Sequence, residues 1–144
     1  FVRRIMAAMF NTVSDKSICI LGFAFKKDTN DLRESPAITV CSRLLEEKAN
    51  IKIYDAKVTE ESILSSLGLK QASERISFHK SAKDAAVGTH AIALLTEWDE
   101  FKELDLDSIY SSMEKPAHFF DGRNIVDPEA VRRAGFQLHR IGKK

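Results

Sequence analysis

The sequence predicts an α/β domain: a Rossmann-like parallel sheet with helices on both faces. Three observations carry this. Short apolar runs alternate with amphipathic stretches along the whole chain. The runs are apolar without a polar alternation, as strands covered on both faces are. Ser, Thr or Asp precedes the amphipathic stretches and glycine often follows them, which is helix punctuation. Strand and helix in regular alternation call for a parallel sheet, because each parallel pairing needs a crossover.

The elements follow in order. Residues 1–13 carry Phe1, Val2, Ile5, Met6, Met9 and Phe10 at helical spacing, so one face is apolar and needs a partner surface. Asn11 to Lys16 is a polar break. Ser17 to Leu21 reads as the first strand. Ser35-Pro36 opens a helix to Lys48, with Ser as N-cap and Pro at the first helical position. Ile51 to Asp55 is a short strand ending in an acid. Thr59 to Leu67 is a helix closed by Gly68, and Ile76 to Phe78 is a weak strand. Ser81 to Val87 is a short helix stopped by Gly88. His90 to Leu95 is an apolar strand, Trp98 to Lys102 a helical turn and Leu106 to Met113 a helix. Ala117 to Phe120 is a strand running into Asp-Gly-Arg-Asn. Pro128 to Ala134 is a helix between Asp127 and Gly135, and Phe136 to Ile141 is the last strand.

A chain of 144 residues fits one domain. With 44% apolar and 30% charged residues it is not composed like a disordered segment. A net charge of +1 gives no global field that would favour nucleic acid or an anionic membrane, so any anion site must be local. No apolar run approaches the roughly 18 residues of a membrane span. The start, Phe-Val-Arg-Arg-Ile-Met, is amphipathic and not a signal peptide. It begins inside an apparent helix without an initiating Met, and we read the chain as a piece of a longer protein. Cys19 falls in a strand pattern and Cys41 in a helix pattern. Both read as buried thiols, which fits a cytoplasmic location. The four histidines are scattered, with no metal-ligand spacing.

The most informative stretch is Ile20-Leu-Gly-Phe-Ala-Phe-Lys-Lys-Asp-Thr-Asn-Asp-Leu-Arg-Glu-Ser-Pro36. It is a strand, a charged loop and a helix start, so the loop lies at the carboxyl end of the strand, where open α/β sheets bind ligands. It has neither G-x-G-x-x-G nor G-x-x-x-x-G-K-[ST]. An anion there must be met by side chains, and lysine and arginine suit a phosphate or carboxylate. Phe120-Asp-Gly-Arg-Asn124 is a second such turn. If its strand runs parallel to the first, Arg123 stands at the same rim as Lys26.

Together these motifs resemble the UDP-binding domain of the UDP-glucose/GDP-mannose dehydrogenase family, closest to its eukaryotic, UDP-glucose-oxidising branch. Leu95-Thr-Glu-Trp-Asp-Glu-Phe101 fits that branch too. The resemblance covers about residues 10–143 and roughly the last third of a family enzyme. It implies that Phe25, Lys26 and Arg123 contact the UDP-sugar and that Arg33 reaches NAD, which is bound mainly by another domain. It assigns Lys27 no role. Residues 1–13 would be the end of a long helix joining the domains, and residues 14–144 the UDP-sugar-binding domain.

The implied partners are UDP-glucose or UDP-glucuronate, the rest of the same polypeptide and, for the full enzyme, further copies of itself. A sibling activity on UDP-ManNAc or GDP-mannose is the nearest alternative. An oligomerisation module is another, motivated by the apolar face of residues 1–13. The family oxidises an alcohol to a carboxylate through a cysteine adduct. Neither Cys19 nor Cys41 matches that cysteine, so the chain alone is expected to be inactive. Tyr54-Asp55 resembles the family's Tyr-Asp-Pro, with Ala56 for Pro. Without a glycine-rich loop we place no NAD there and read a strand-ending turn. Trp98 either covers the site or packs in a core or interface.

Overall fold

Six short strands form one sheet in the computed structural model, which describes residues 1–9, 11–71 and 73–140. They are β1 Ser17–Leu21, β2 Asn50–Tyr54, β3 Ile76–Phe78, β4 Ala91–Leu94, β5 His118–Asp121 and β6 Gln137–Arg140. The order is β3-β2-β1-β4-β5-β6 and every pairing is parallel. The helices are α1 Val2–Ala8, α2 Pro36–Glu46, α3 Glu60–Ser66, α4 Ala82–Ala86, α5 Leu106–Ser112 and α6 Pro128–Ala134. A 3-10 turn covers Asp99–Lys102.

Successive strand residues point to opposite faces, and here both faces are apolar. Ile18, Ile20, Ile51, Ile53, Ala91, Ala93 and Phe120 pack under α1, α2 and α3. Cys19, Leu21, Ile92, Leu94 and Phe119 pack under α4, α5 and α6. That is the three-layer arrangement expected from the unbroken apolar runs.

The helix starts are capped as the sequence indicates. Ser35 Oγ accepts the Ala37 amide at 3.2 Å, with Pro36 at the first helical position. Thr59, Ser81 and Asp127 cap α3, α4 and α6 in the same way. Gly135, at φ 119°, closes α6 in the left-handed region that glycine adopts without strain. Ile141 of the expected last strand and Phe10 of the expected first helix lie outside the described residues.

The first helix differs from expectation. Only Val2–Ala8 is helical, and its apolar face is not left open. Val2, Ile5 and Met9 are buried against the sheet beside α2, and Phe1 packs edge-on to Phe120 at 6.3 Å. The reason is tertiary: the sheet face at Ala91, Ala93 and Phe120 needs a cover, and the domain's own first helix provides it. The open apolar face that motivated an interaction module is therefore taken up within the chain.

Gly22 is required where β1 ends. It sits at φ +90°, and a Cβ there would lie 2.4 Å from Thr96 Cβ and 2.8 Å from the Thr96 nitrogen. The two loops are locked at this point, since Thr96 Oγ1 donates to the Ala24 carbonyl at 2.7 Å. Gly22→Ala is expected to cost about 2–4 kcal/mol of stability, from strain and overpacking together, measured by urea denaturation.

His118 Nδ1 and His139 Nε2 are hydrogen-bonded at 3.2 Å, and His139 stacks on Phe120 at 4.5 Å. Burial pushes both imidazoles below their ordinary 6.5, with Lys16 adding to it at His118, and His118 and Arg4 at His139. A folded pKa below the unfolded one means that the unfolded chain binds more protons in between. Stability from this pair is then complete above the unfolded value and is lost as pH falls through the folded ones. The melting temperature is expected to fall between about pH 7.5 and about pH 5.5, more shallowly in His139→Gln, by scanning calorimetry. The slope keeps a share from His79, which burial also pushes down.

Candidate functional site

The strand order reverses direction between β1 and β4. In an open parallel sheet the crevice beyond the strand ends at that point is where ligands bind. Three loops meet there: residues 22–35 after β1, 95–98 after β4 and 122–127 after β5.

Asp55, just past β2, organises the first two. Its Oδ2 accepts the Phe23 amide at 2.7 Å, the Ala24 amide at 3.0 Å and Trp98 Nε1 at 3.1 Å. Its Oδ1 accepts the Lys57 and Val58 amides at 2.8 and 3.0 Å. In a dinucleotide-binding unit the acid at this position holds ribose hydroxyls. Here both oxygens already serve protein N–H groups, and the β1 loop has no glycine-rich fingerprint. The residues present therefore do not fit a dinucleotide at this rim. The strand-ending turn expected for Tyr54-Asp55 is found, but its reach to Trp98 had no local signal.

Asp121 repeats the device after β5. Fully buried, it accepts the Arg123 and Asn124 amides through Oδ1 at 2.9 and 2.8 Å, and the Ile125 and Val126 amides through Oδ2 at 2.8 and 2.9 Å. Gly122 passes so close to β4 that a Cβ would meet the Leu94 carbonyl at 2.8 Å. This fold of the turn aims Arg123 across the crevice. Its Nε donates to the Leu95 carbonyl at 2.9 Å and its Nη2 to the Phe25 carbonyl at 2.6 Å. Its Nη1 pairs with Glu97 Oε2 at 3.1 Å.

Arg123 and the Phe25 segment are thus brought together, as the parallel register requires. Phe25 is 41% exposed, a large apolar ring facing solvent. Lys26 beside it is exposed and makes no hydrogen bond or ion pair among the described residues. Lys27, given no role from the sequence, ties two loops: its amide donates to Glu97 Oε1 at 2.6 Å and its ammonium to Asp99 Oδ1 at 3.2 Å. The Asp99 hydrogen bond holds the Lys27 ammonium above its ordinary pKa.

Arg33 stands further out, its side chain 88% exposed. It grips Asp31 through Nε and Nη2 at 3.1 and 3.0 Å. Those bonds hold the Asp31 carboxyl below its usual range. Phe25, Asp31, Arg33 and Glu34 line a shallow cavity of about 320 Å³. A second hollow of about 390 Å³ lies over the ends of β2 and β3, against Tyr54, Asp55 and His79, and includes none of the sequence-predicted site residues.

Trp98 is buried in the core under α4, α5 and α6 and does not cover the crevice. Cys19 and Cys41 are free and fully buried, and burial pushes both thiols well up. Each stays a protonated, inert thiol at neutral pH. Among the described residues no cluster of His, Cys, Asp and Glu could hold a metal ion. No helix among them is long and apolar enough to cross a membrane.

Residues 19–128, which span the three loops, match the model of the UDP-glucose/GDP-mannose dehydrogenase family, UDP binding domain. The chain belongs to this family. Among similar curated proteins, UDP-glucose 6-dehydrogenase 5 of Oryza sativa subsp. japonica is 49% identical over 99% of the chain, and UDP-glucose 6-dehydrogenase 1 of Glycine max is 48% identical over 99%. The chain spans 33% of the length of each of these relatives. Among solved structures, UDP-D-ManNAc dehydrogenase from Pyrococcus horikoshii superposes with a TM-score of 0.73 at 27% identity, covering 96% of this chain and 28% of that one. An NDP-N-acetyl-D-galactosaminuronic acid dehydrogenase from Methanosarcina mazei Go1, 20% identical with a TM-score of 0.78, covers 98% of this chain and 27% of its own and shares the fold.

The β5 turn rests on Asp121. Asp121→Asn turns one of its acceptor oxygens into an amide donor aimed at backbone N–H groups, while removing no volume. It is expected to cost about 3 kcal/mol, read from the urea midpoint.

Proposed function

We propose that this chain is the UDP-sugar-binding domain of an NAD-dependent, cytoplasmic enzyme that oxidises UDP-glucose to UDP-glucuronate. Residues 14–144 form that domain, and residues 1–13 are the end of the helix that links it to the rest of the polypeptide. The observation that carries the reading is the meeting of Arg123 with the Phe25-Lys26 segment at the switch-point rim. The family membership and the plant relatives, UDP-glucose 6-dehydrogenases by name, point the same way.

In this reading Lys26 and Arg123 take the diphosphate, and the exposed Phe25 ring offers a flat apolar surface. An exposed ammonium suits a phosphate oxygen, and a guanidinium suits two at once. Binding at the UDP end orients the distant sugar carbon for oxidation, and that is how remote contacts serve a reaction. NAD supplies the hydride acceptor when bound. Its site lies mainly outside the matched domain, and Arg33, exposed at the edge of the crevice, is the residue of this chain that reaches it. The full enzyme assembles from several copies, with no nucleic-acid or membrane partner.

The Pyrococcus neighbour, a UDP-D-ManNAc dehydrogenase, keeps a sibling activity in view, since UDP would be common to both. Isothermal calorimetry of the chain with UDP, UDP-glucose and GDP decides. UDP and UDP-glucose are expected to bind, GDP to bind poorly, and Lys26→Ala to weaken UDP about tenfold. With UDP-glucose and NAD the chain is expected to form no NADH, because the NAD site lies mainly outside this domain and both its thiols are buried. Preference for GDP would move the reading to the GDP-mannose branch. Self-association without nucleotide binding would favour an interaction module, and NADH formation would overturn the division of labour.

A further inference from the structure

Glu97 lies between donors from two different loops. Its Oε1 accepts the Lys27 amide at 2.6 Å, and its Oε2 forms an ion pair with Arg123 Nη1 at 3.1 Å. One partner is an N–H donor and the other a cation, so the residue at 97 must present an acceptor to the first and a negative charge to the second. A carboxylate does. A primary amide offers one acceptor and one donor whichever way it turns.

The pair is set where it counts. The side chains of Arg123 and Glu97 are 28% and 27% exposed, so water competes weakly for their contact. The guanidinium is fixed from three sides, and the other two are backbone carbonyls, of Leu95 and Phe25. Glu97 is therefore the side-chain anchor of Arg123. The residues after it hold the same segment in place independently. Trp98 bonds Asp55, Asp99 bonds Lys27 and Glu100 bonds the Tyr54 hydroxyl at 2.7 Å. A change at the Glu97 side chain leaves those contacts standing.

We infer that Glu97 is a positioning residue for the nucleotide site: one carboxylate that sets both the Arg123 guanidinium and the Phe25–Lys27 backbone for a nucleoside diphosphate. This rests on the reading that Lys26 and Arg123 take the diphosphate. The opposite role is also chemically coherent: Glu97 could stand in the phosphate's place and compete with it. The two roles give opposite signs.

The test is a double-mutant cycle of Glu97→Gln and Arg123→Gln, with UDP binding by calorimetry and nitrogen-15 NMR of the Arg123 Nε–H. Glu97→Gln is expected to weaken UDP about tenfold, the worth of one charge-assisted contact. Added to Arg123→Gln it is expected to weaken UDP clearly less than tenfold further, because the part of its effect that passes through the arginine is already lost and only the part through the Lys27 amide remains. A merely structural role would leave the two losses additive. The Arg123 Nε–H signal is expected to shift and broaden in Glu97→Gln while the Trp98 indole signal stays. Binding unchanged or tightened in Glu97→Gln overturns the inference alone, and so does an unmoved Arg123 signal. Absence of UDP binding by the unaltered chain overturns the site reading and the inference with it.

Discussion

The carboxylate of Asp55 is the point on which the crevice depends. Three segments far apart in the chain end on its two oxygens: the amides after β1, the indole after β4 and the turn after β2. A buried N–H without a partner is costly, and loops at a strand rim have no ladder to supply one. A single acid resolves that for five donors at once, and it draws the β1 and β4 loops together across the switch point. Asp121 does the same for the β5 turn with four amides. The rim is thus held by protein groups alone. The acid that a dinucleotide-binding relative would offer to a ribose is used here as mortar.

Much of the fold could be read from the sequence because it is set locally. Strand runs, caps and stops such as Ser35, Thr59 and Gly135 depend on near neighbours, and the elements after the first helix fall within a residue or two of expectation. The first helix shows the limit. Its apolar face was legible, but its cover is the sheet at Phe120, and nothing in residues 1–13 says so. The site divides in the same way. Phe25, Lys26 and Arg123 could be placed on one rim because parallel strands carry all their carboxyl ends to one edge. Glu97 and Asp99 could not be assigned. Their partners lie 70 and 72 residues away, and no spacing rule connects an acid to an amide at that distance. For Trp98 the sequence allows a cover over the site or packing in a core or interface, and its burial among Leu94, Phe101 and Ile109 puts it in the core.

The two apolar layers explain why such loops can be so tightly specified. Each strand gives alternate residues to opposite cores, so a slip by one residue would exchange the two sets. The register of β1, β4 and β5 fixes where Gly22, Leu95 and Gly122 emerge. The close approaches at Gly22 and Gly122 then leave the loops little room to rearrange.

The pairing of the rim cations has a kinetic consequence. Arg33, Lys27 and Arg123 each face a carboxylate of their own, Asp31, Asp99 and Glu97. From a Debye length away, roughly 10 Å at moderate salt, such pairs look like dipoles and project little field. An anion approaching this domain is not drawn in from bulk solution as it would be by a cluster of bare cations. If the proposed site is right, capture depends on collision with Lys26 and the exposed Phe25 ring, and the encounter rate varies little with ionic strength. Selectivity is left to the short-range fit after contact.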